Sequence, residues 1–325
     1  MAIRTRLTER LNIEHPILNA PMGGAAGGKL ATAVTTAGGL GLIGGGSADP
    51  DWVAHEFAET GNVRVGCGFI TWMLAKHPAT LDVTLAHAPA AVMLSFGDPR
   101  PFAPAIKAAG RLLICQVQDM QHARAALDEG ADIVVAQGTE AGGHGARRAT
   151  MTLVPEVADL LSRRSPETLL VAAGGIADGR GLGAALMLGA DGVLVGSRLW
   201  ASPEALVHSN LQRAALGSDG DGTLRQSAGD IARGAAWPAE FTGRVLRNSF
   251  TDRWAGNEAE LRTRADAVRP TYLDAMAAGD ADKIAVYVGE AIGIMDALVP
   301  AGDTIRAMVA QAEDLLTRHA AQVVR

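Results

Sequence analysis

Cysteine and aromatic residues are the scarce components of this 325-residue chain, which has two cysteines and an aromatic content of 4%. Two thiols make no disulfide framework, and Cys67 and Cys115 lack the paired spacing of a structural zinc site, so no metal is expected. Both lie inside apolar runs, "VGCGF" and "LLICQV", and are read as buried, reduced thiols. No apolar run approaches a membrane span, and the opening residues "MAIRTRLTERLNIEHP" contain no apolar core of a secretion signal. Positive charge is short as well. The formal net charge is −6, and clusters such as Arg163-Arg164 are too small for a nucleic-acid footprint. These absences point to a soluble cytoplasmic protein that binds neither nucleic acid nor membrane.

Glycine, at 39 residues, and hydrophobic residues, at 48%, are plentiful. That combination suits a large α/β protein with many tight joints, and the length falls within the range of an elaborated barrel. Eight short apolar runs read as strands: Pro16–Ala20, Leu40–Ile43, Val63–Cys67, Ala91–Ser95, Leu112–Gln116, Ile133–Ala136, Leu169–Ala173 and Val193–Gly196. Helical spacing fills the intervals. In "KLATAVTTAGG", Leu30, Ala33, Val34 and Ala37 share a face and Gly38 stops the helix. Two joints, "LDEGADIVV" and "LMLGADGVLV", repeat a Gly-Ala-Asp between helix and strand. The expected fold is a (β/α)8 TIM barrel.

The alternation stops near Pro203. Residues 204–285 read as polar amphipathic helices, an insertion after the eighth strand on the substrate side. In "TIRAMVAQAEDLL", Ile305, Met308, Val309, Leu315 and Leu316 form one apolar face, which returns to close the barrel. Residues 1–203 and 286–325 are therefore assigned to the barrel and 204–285 to a helical domain.

"GLGLIG", Gly39–Gly44, matches the dinucleotide pattern G-x-G-x-x-G, but its glycines flank a strand instead of following one into a helix, so it is set aside. The last two strands end in "AAGGIADGRG" and "VGSR". Each glycine pair alone is a tight turn. Together they occupy the two positions where barrels hold phosphate, and Gly174, Gly175, Gly196 and Ser197 could offer backbone N–H groups and a hydroxyl. The first strand ends in "NAPMGG", whose Pro21 and Met22 could lie against one face of a flat ring such as a flavin. Gln116 and Gln137 follow strand ends on the same side, with amides suited to a heterocycle edge. Of eight histidines, His144 alone lies just past a strand end in a glycine-rich loop, "QGTEAGGHGARR", which makes it the candidate catalytic group.

These stretches, together with "TTAGGLGLIGGG" and "AVMLSFGDP", resemble the nitronate monooxygenases, formerly 2-nitropropane dioxygenases. The likeness runs through residues 12–202, and more faintly through "RVLRNSFTDRW" and "YVGEAIGIM". It implies an FMN-bound barrel that oxidises alkyl nitronates, or nitroalkanes, with O2 to a carbonyl compound and nitrite. By motif, Ala20, Pro21, Met22 and Thr71 would pack on the flavin, and Gln116 and Gln137 would contact it. Gly142, Gly143, Gly174, Gly175, Gly196 and Ser197 would supply backbone and phosphate contacts, and His144 would be the base. Some relatives carry Lys at the place of Gln116, and the loop "GFITWML" departs from their Asn-containing version. Flavin-dependent enoyl-acyl-carrier-protein reductases and NAD(P)H:quinone reductases share the barrel and remain alternatives, as does a flavin-storing barrel without turnover. The oligomeric state stays open, a homodimer among the options.

Overall fold

The computed structural model describes residues 3–319. Eight short strands surround the centre: β1 (Ile17–Asn19), β2 (Leu42–Gly44), β3 (Gly66–Ile70), β4 (Ala91–Ser95), β5 (Leu112–Val117) and β6 (Ile133–Gln137). After β7 (Gly143–Gly145), which lies outside this sheet, come β8 (Leu169–Ala173) and β9 (Gly192–Val195). Their order is β1-β9-β8-β6-β5-β4-β3-β2, every pairing is parallel, and helices lie between successive strands. A single Leu18–Leu40 bridge draws the two edges together. The buried Asn19 side chain completes that seam. Its Nδ2 donates to Leu42 O at 2.8 Å, and its Oδ1 accepts from Leu42 N at 2.7 Å, doing the work of a ladder pair. The result is the expected (β/α)8 barrel.

Seven of the eight strands lie within a residue or two of their expected bounds, and the third is displaced by three. "VRVGC" was the better apolar run, yet the strand is "GCGFI". Pairing decides this: β2 meets β3 from Leu42–Gly66 onward, and β4 meets it from Cys67–Val92. Low strand propensity hid the glycines that the packing needs. A Cβ at Gly66 would lie 2.8 Å from Ala91 O, and one at Gly68 would lie 2.4 Å from Pro21 Cγ.

Alternation along the strands builds two layers of core. Leu18, Met93, Ile114, Val135, Val171 and Leu194 fill the barrel, whose base is covered by Leu7 and Leu11 of the first helix. Cys67, Leu113, Val134, Ala172 and Val193 point outward onto the helices. Both cysteines are buried and free, and burial pushes each thiol up to about 12. The repeated Gly-Ala-Asp joints have a common cause. Gly130 and Gly189 end helices at positive φ, while Asp132 and Asp191 each accept from the first amides of the neighbouring strand, Leu113 N and Leu170 N, at 2.9 Å.

The insertion differs from expectation. Helices Ser209–Leu216, Ala228–Arg233, Ser249–Trp254 and Glu258–Ala278 are present, but β10 (Thr223–Gln226) and β11 (Thr242–Leu246) lie among them. With β7 they form a three-stranded antiparallel sheet, ordered β10-β11-β7. Both strands are short and carry arginines, which is why the sequence pattern concealed them. The insertion also has its own apolar core, which continues past residue 285 through Val286, Val288, Ile292 and Met295. The chain rejoins the barrel core at Ala301, where helix Ala301–Asp314 buries Ile305, Met308 and Val309. Among the described residues no helix is long and apolar enough to cross a membrane.

Gly68 links the barrel wall to the loop after β1. Gly68→Ala should destabilise the protein by about 1–3 kcal/mol, the usual penalty for forcing a methyl into packed space, read as a lower urea midpoint. An unchanged midpoint would show that Pro21 yields freely.

Candidate active site

Strand parity carries two glutamines to the mouth. Ile133 and Val135 point into the barrel, so Gln137 does too; Ile114 points in, and so does Gln116. Their amides form a hub with a third, Gln118, which lies just beyond β5. Gln137 Oε1 accepts from Gln116 Nε2 at 3.0 Å and from Gln118 Nε2 at 3.1 Å. Gln137 Nε2 donates to the main-chain carbonyl of His144 at 3.0 Å. The strand end thus grips the histidine loop directly.

His144 is not in a free loop. It lies in β7, opposite Gly243 of β11. The glycines around it serve that packing. A Cβ at Gly142 would lie 2.5 Å from Gly289 N, and one at Gly145 would lie 2.7 Å from Arg225 Nη2. Gly143, at φ +73°, has no heavy atom within 4 Å of its would-be Cβ and faces open space. Two arginines, Arg244 buried and Arg225 half-buried, fix the start of the loop: Arg225 Nε donates to Thr139 Oγ1 at 2.9 Å, and Arg244 Nε donates to Thr139 O at 2.9 Å.

The His144 side chain retains 9% of its exposure, and its Nε2 lies 2.8 Å from Asp230 Oδ2. Asp230 sits on helix Ala228–Arg233, and its Oδ1 accepts from Arg233 Nη2 at 2.6 Å and from the Tyr287 hydroxyl at 3.1 Å. Burial pushes the Asp230 carboxyl up, but His144 and Arg233 together more than offset this, and its pKa ends below the ordinary value. For His144 burial wins: it drives the pKa below 6.5 against the support of Asp230, with Arg233 and Arg225 pushing the same way. At neutral pH the imidazole is therefore uncharged.

In a chain so poor in aromatics, three of them meet this ring and two more pack behind those. The Trp237 indole stacks on the imidazole at 3.4 Å between centroids and 5° between planes. Phe96 meets Trp237 and Phe241 edge-on at 5.2 and 5.1 Å, Trp72 meets Trp237 at 5.4 Å, and Tyr287 lies 5.4 Å from His144. Phe96 does so from a left-handed backbone, φ +62°, a strain of order 1–3 kcal/mol that such sites tolerate.

The glycine turns after β8 and β9 are open donors. Gly174 and Gly175 have φ of +105° and +72°. Among the described residues, no hydrogen bond engages the amides of Gly174, Gly175, Gly196 or Ser197. The Ser197 hydroxyl is already an acceptor, for Gly289 N at 2.9 Å. Thr71, 2% exposed, has a buried hydroxyl with no partner among the described residues. Ala20, Pro21 and Met22 line the mouth beside them: Pro21 packs on Gly68, and a Cβ at Gly196 would make ordinary contact with Ala20 and the Met22 sulfur. A cavity of about 390 Å³ adjoins the glutamine hub, lined by Phe96, Cys115, Gln116, Gln118, His122 and Phe241. It includes neither His144 nor the glycine turns.

Known proteins match this arrangement. The profile of the nitronate monooxygenase family matches residues 4–66 and 63–311. The chain belongs to the nitronate monooxygenase family. A nitronate monooxygenase of Neurospora crassa is 32% identical over 346 residues, spanning 93% of this chain and 90% of its own. FabK from Thermotoga maritima superposes with a TM-score of 0.86 at 30% identity, over 98% of this chain and 99% of that one. A nitroalkane oxidase from Streptomyces ansochromogenes superposes at 0.81 and 25%, over 95% and 99%.

As a member of the nitronate monooxygenase family the protein is an oxidoreductase, and a flavin cofactor is implied. Its residues fit one. Four uncommitted amides at two adjacent strand ends suit a phosphate, and the orphaned Thr71 hydroxyl and the glutamine hub offer polar partners at the mouth. The sequence reading named the glycine turns, the glutamines and His144, and the structure brings them to one end of the barrel. It missed Gln118, Asp230, Arg233, Trp237 and Tyr287. The one signal available was the rarity of Trp237 and Tyr287 in a polar stretch; nothing local marks Asp230, which lies 86 residues from His144.

The Trp237 stack supplies much of the cover over the imidazole. Trp237→Ala should therefore raise the His144 pKa toward 6.5, because burial is the largest influence lowering it. Histidine NMR titration would read the change, and an unchanged or lower value would deny the indole that role.

Proposed function

We propose that this protein is an FMN-dependent nitronate monooxygenase that oxidises alkyl nitronates with O2 to a carbonyl compound and nitrite. On this reading it also accepts neutral nitroalkanes through His144 as base. The observation that carries the proposal is a buried, uncharged His144 held at the mouth of a barrel whose last two strands end in uncommitted amides. Those amides, of Gly174, Gly175, Gly196 and Ser197, would hold one terminal phosphate, which favours FMN over a dinucleotide. Pro21 and Met22 would pack on a ring face, and Gln116 and Gln137 would contact its edge or ribityl chain. When bound, the flavin supplies the electron chemistry, and the protein supplies orientation and proton handling.

For a neutral nitroalkane the α-proton must leave first. A neutral imidazole can take it, and a base that titrates below 6.5 is fully available at neutral pH. The nitronate formed is an anion, and the nearby, half-buried positive charges of Arg225 and Arg233 favour it over a second neutral species. Trp237, Phe96 and Phe241 restrict water around the base and suit an apolar substituent. The likeness to FabK keeps a second reading in view, a flavin-dependent enoyl-acyl-carrier-protein reductase using NAD(P)H.

Two outcomes separate these readings. Purified protein should be yellow, release FMN on denaturation, and convert propyl nitronate to nitrite with O2 uptake and no added NAD(P)H. Rapid NADH oxidation with an enoyl thioester, and no nitrite from any nitronate, would move the assignment to the reductase. His144→Ala should keep FMN and lose about 10²–10⁴-fold in turnover of nitroalkanes, the range of a positioned acid–base group. Preformed nitronate already lacks the proton, so its oxidation should suffer far less. Equal losses on both substrates would remove the base role.

A further inference from the structure

We propose that Asp230 is the positioning residue of this site: it takes the Nε2–H of His144 and so fixes Nδ1 as the bare nitrogen that accepts a substrate proton. The inference rests on the reading of His144 as base, and it identifies the group that makes that base competent.

The two oxygens of Asp230 are divided between tasks. Oδ1 is occupied by Arg233 Nη2 at 2.6 Å and by the Tyr287 hydroxyl at 3.1 Å. Burial drives the Tyr287 phenol well above its ordinary pKa, so it stays protonated and donates. Oδ2 is left for His144 at 2.8 Å. An ionised carboxylate only accepts, so the shared proton belongs to the imidazole, and a neutral imidazole carries just one. Nδ1 is then unprotonated, and among the described residues it makes no hydrogen bond.

The neighbours explain why the arrangement cannot turn round. Tyr287 reaches Asp230 only because two glycines make room. A Cβ at Gly243 would lie 2.7 Å from its ring, and one at Gly229 would lie 3.2 Å from its hydroxyl. Gly229 is also bound to the Gln226 side chain through its amide at 3.0 Å, which anchors the helix that carries Asp230. Gly234, at φ +78°, ends that helix and directs the chain toward Trp237. The charged and titratable groups facing His144 are Arg225 on β10, Asp230 and Arg233 on the helix, and Tyr287 on the segment after it. Arg225, Arg233 and burial all lower its pKa, and Asp230 alone raises it. Removing the Asp230 charge should therefore leave a weaker base with an unfixed tautomer.

The test uses flavin-loaded protein labelled with 15N-histidine, together with turnover of a nitroalkane and of its preformed nitronate. In the wild type, NMR should show His144 protonated at Nε2 and bare at Nδ1 near neutrality, with a titration midpoint below 6.5. Asp230→Asn should move that midpoint lower still, populate the Nδ1–H form, and cut nitroalkane turnover by about 10²–10⁴-fold, with little change for the nitronate. Asp230→Glu, which keeps the charge, should restore part of the loss. Flavin retained in Asp230→Asn with an unchanged midpoint and an unchanged ratio of the two substrates would reduce Asp230 to a structural residue. Should that variant fail to fold, an Nδ1–H tautomer in the wild type overturns the proposal by itself. A wild type that oxidises no nitronate counts against the functional reading, while the NMR result still decides the role of Asp230.

Discussion

Three residue pairs hold the site together: Thr242–Gly145, Gly243–His144 and Arg244–Gly143, the ladder that joins β7 to β11. Without it the loop after β6 would be an ordinary barrel loop, and the insertion would have no register against the mouth. With it, a residue fixed by the barrel strand through Gln137 is presented to a carboxylate carried by the insertion. The glycines of "EAGGHG" follow from that requirement. Gly142 lets the 288–289 backbone approach, Gly145 admits Arg225, and only Gly143 is left facing open space. Gly243, on the partner strand, yields its side-chain volume to Tyr287.

Burying a His–Asp–Arg cluster is costly unless each polar atom is met. Here the acceptors are allotted: Oδ1 to Arg233 and Tyr287, Oδ2 to His144, and the loop carbonyls to Arg225 and Arg244, while among the described residues the buried Arg233 Nε has no partner. Desolvation then acts mainly on the imidazole, which can escape the penalty by staying neutral. Asp230 cannot escape as easily, because its own neighbours favour the ion. The pair therefore settles as a neutral imidazole beside a carboxylate, the state a base needs.

How much of this was legible in the sequence follows from the range of each interaction. The barrel was legible because strand alternation and the glycine ends of the Gly-Ala-Asp joints are local, although Asp132 and Asp191 reach across to Leu113 and Leu170 of the neighbouring strands. Gln116 and Gln137 were legible because two-residue periodicity sets their direction. The third strand was misplaced because its glycines answer to Leu42, Ala91 and Pro21, none of them nearby in sequence. β10 and β11 went unseen for a related reason. β11 is held between β10 and β7, β10 pairs with β11 alone, and "TLRQ" and "TGRVL" have no apolar face to announce either strand. Asp230 is the extreme case: an acidic residue in the first turn of a six-residue helix looks like an ordinary favourable helix-end charge.

The two halves of the molecule thus divide the chemistry. The barrel contributes what parity and strand ends can deliver: open amides, glutamine amides and a proline–methionine wall. The insertion contributes what must come from a distance, namely a carboxylate, two arginines and an indole over the imidazole. The two parts are joined at several places: the β7–β11 ladder, Arg225 and Arg244 on Thr139, the Gly289 N–Ser197 Oγ bond, and the packing of Trp237 and Phe241 on Phe96. The division of the chemistry between them bears on how a chain can share a whole fold with FabK and with a nitroalkane oxidase at 30% and 25% identity. Fold likeness speaks for the barrel and its turns. The reaction performed has to be argued from the side chains that the insertion places around His144.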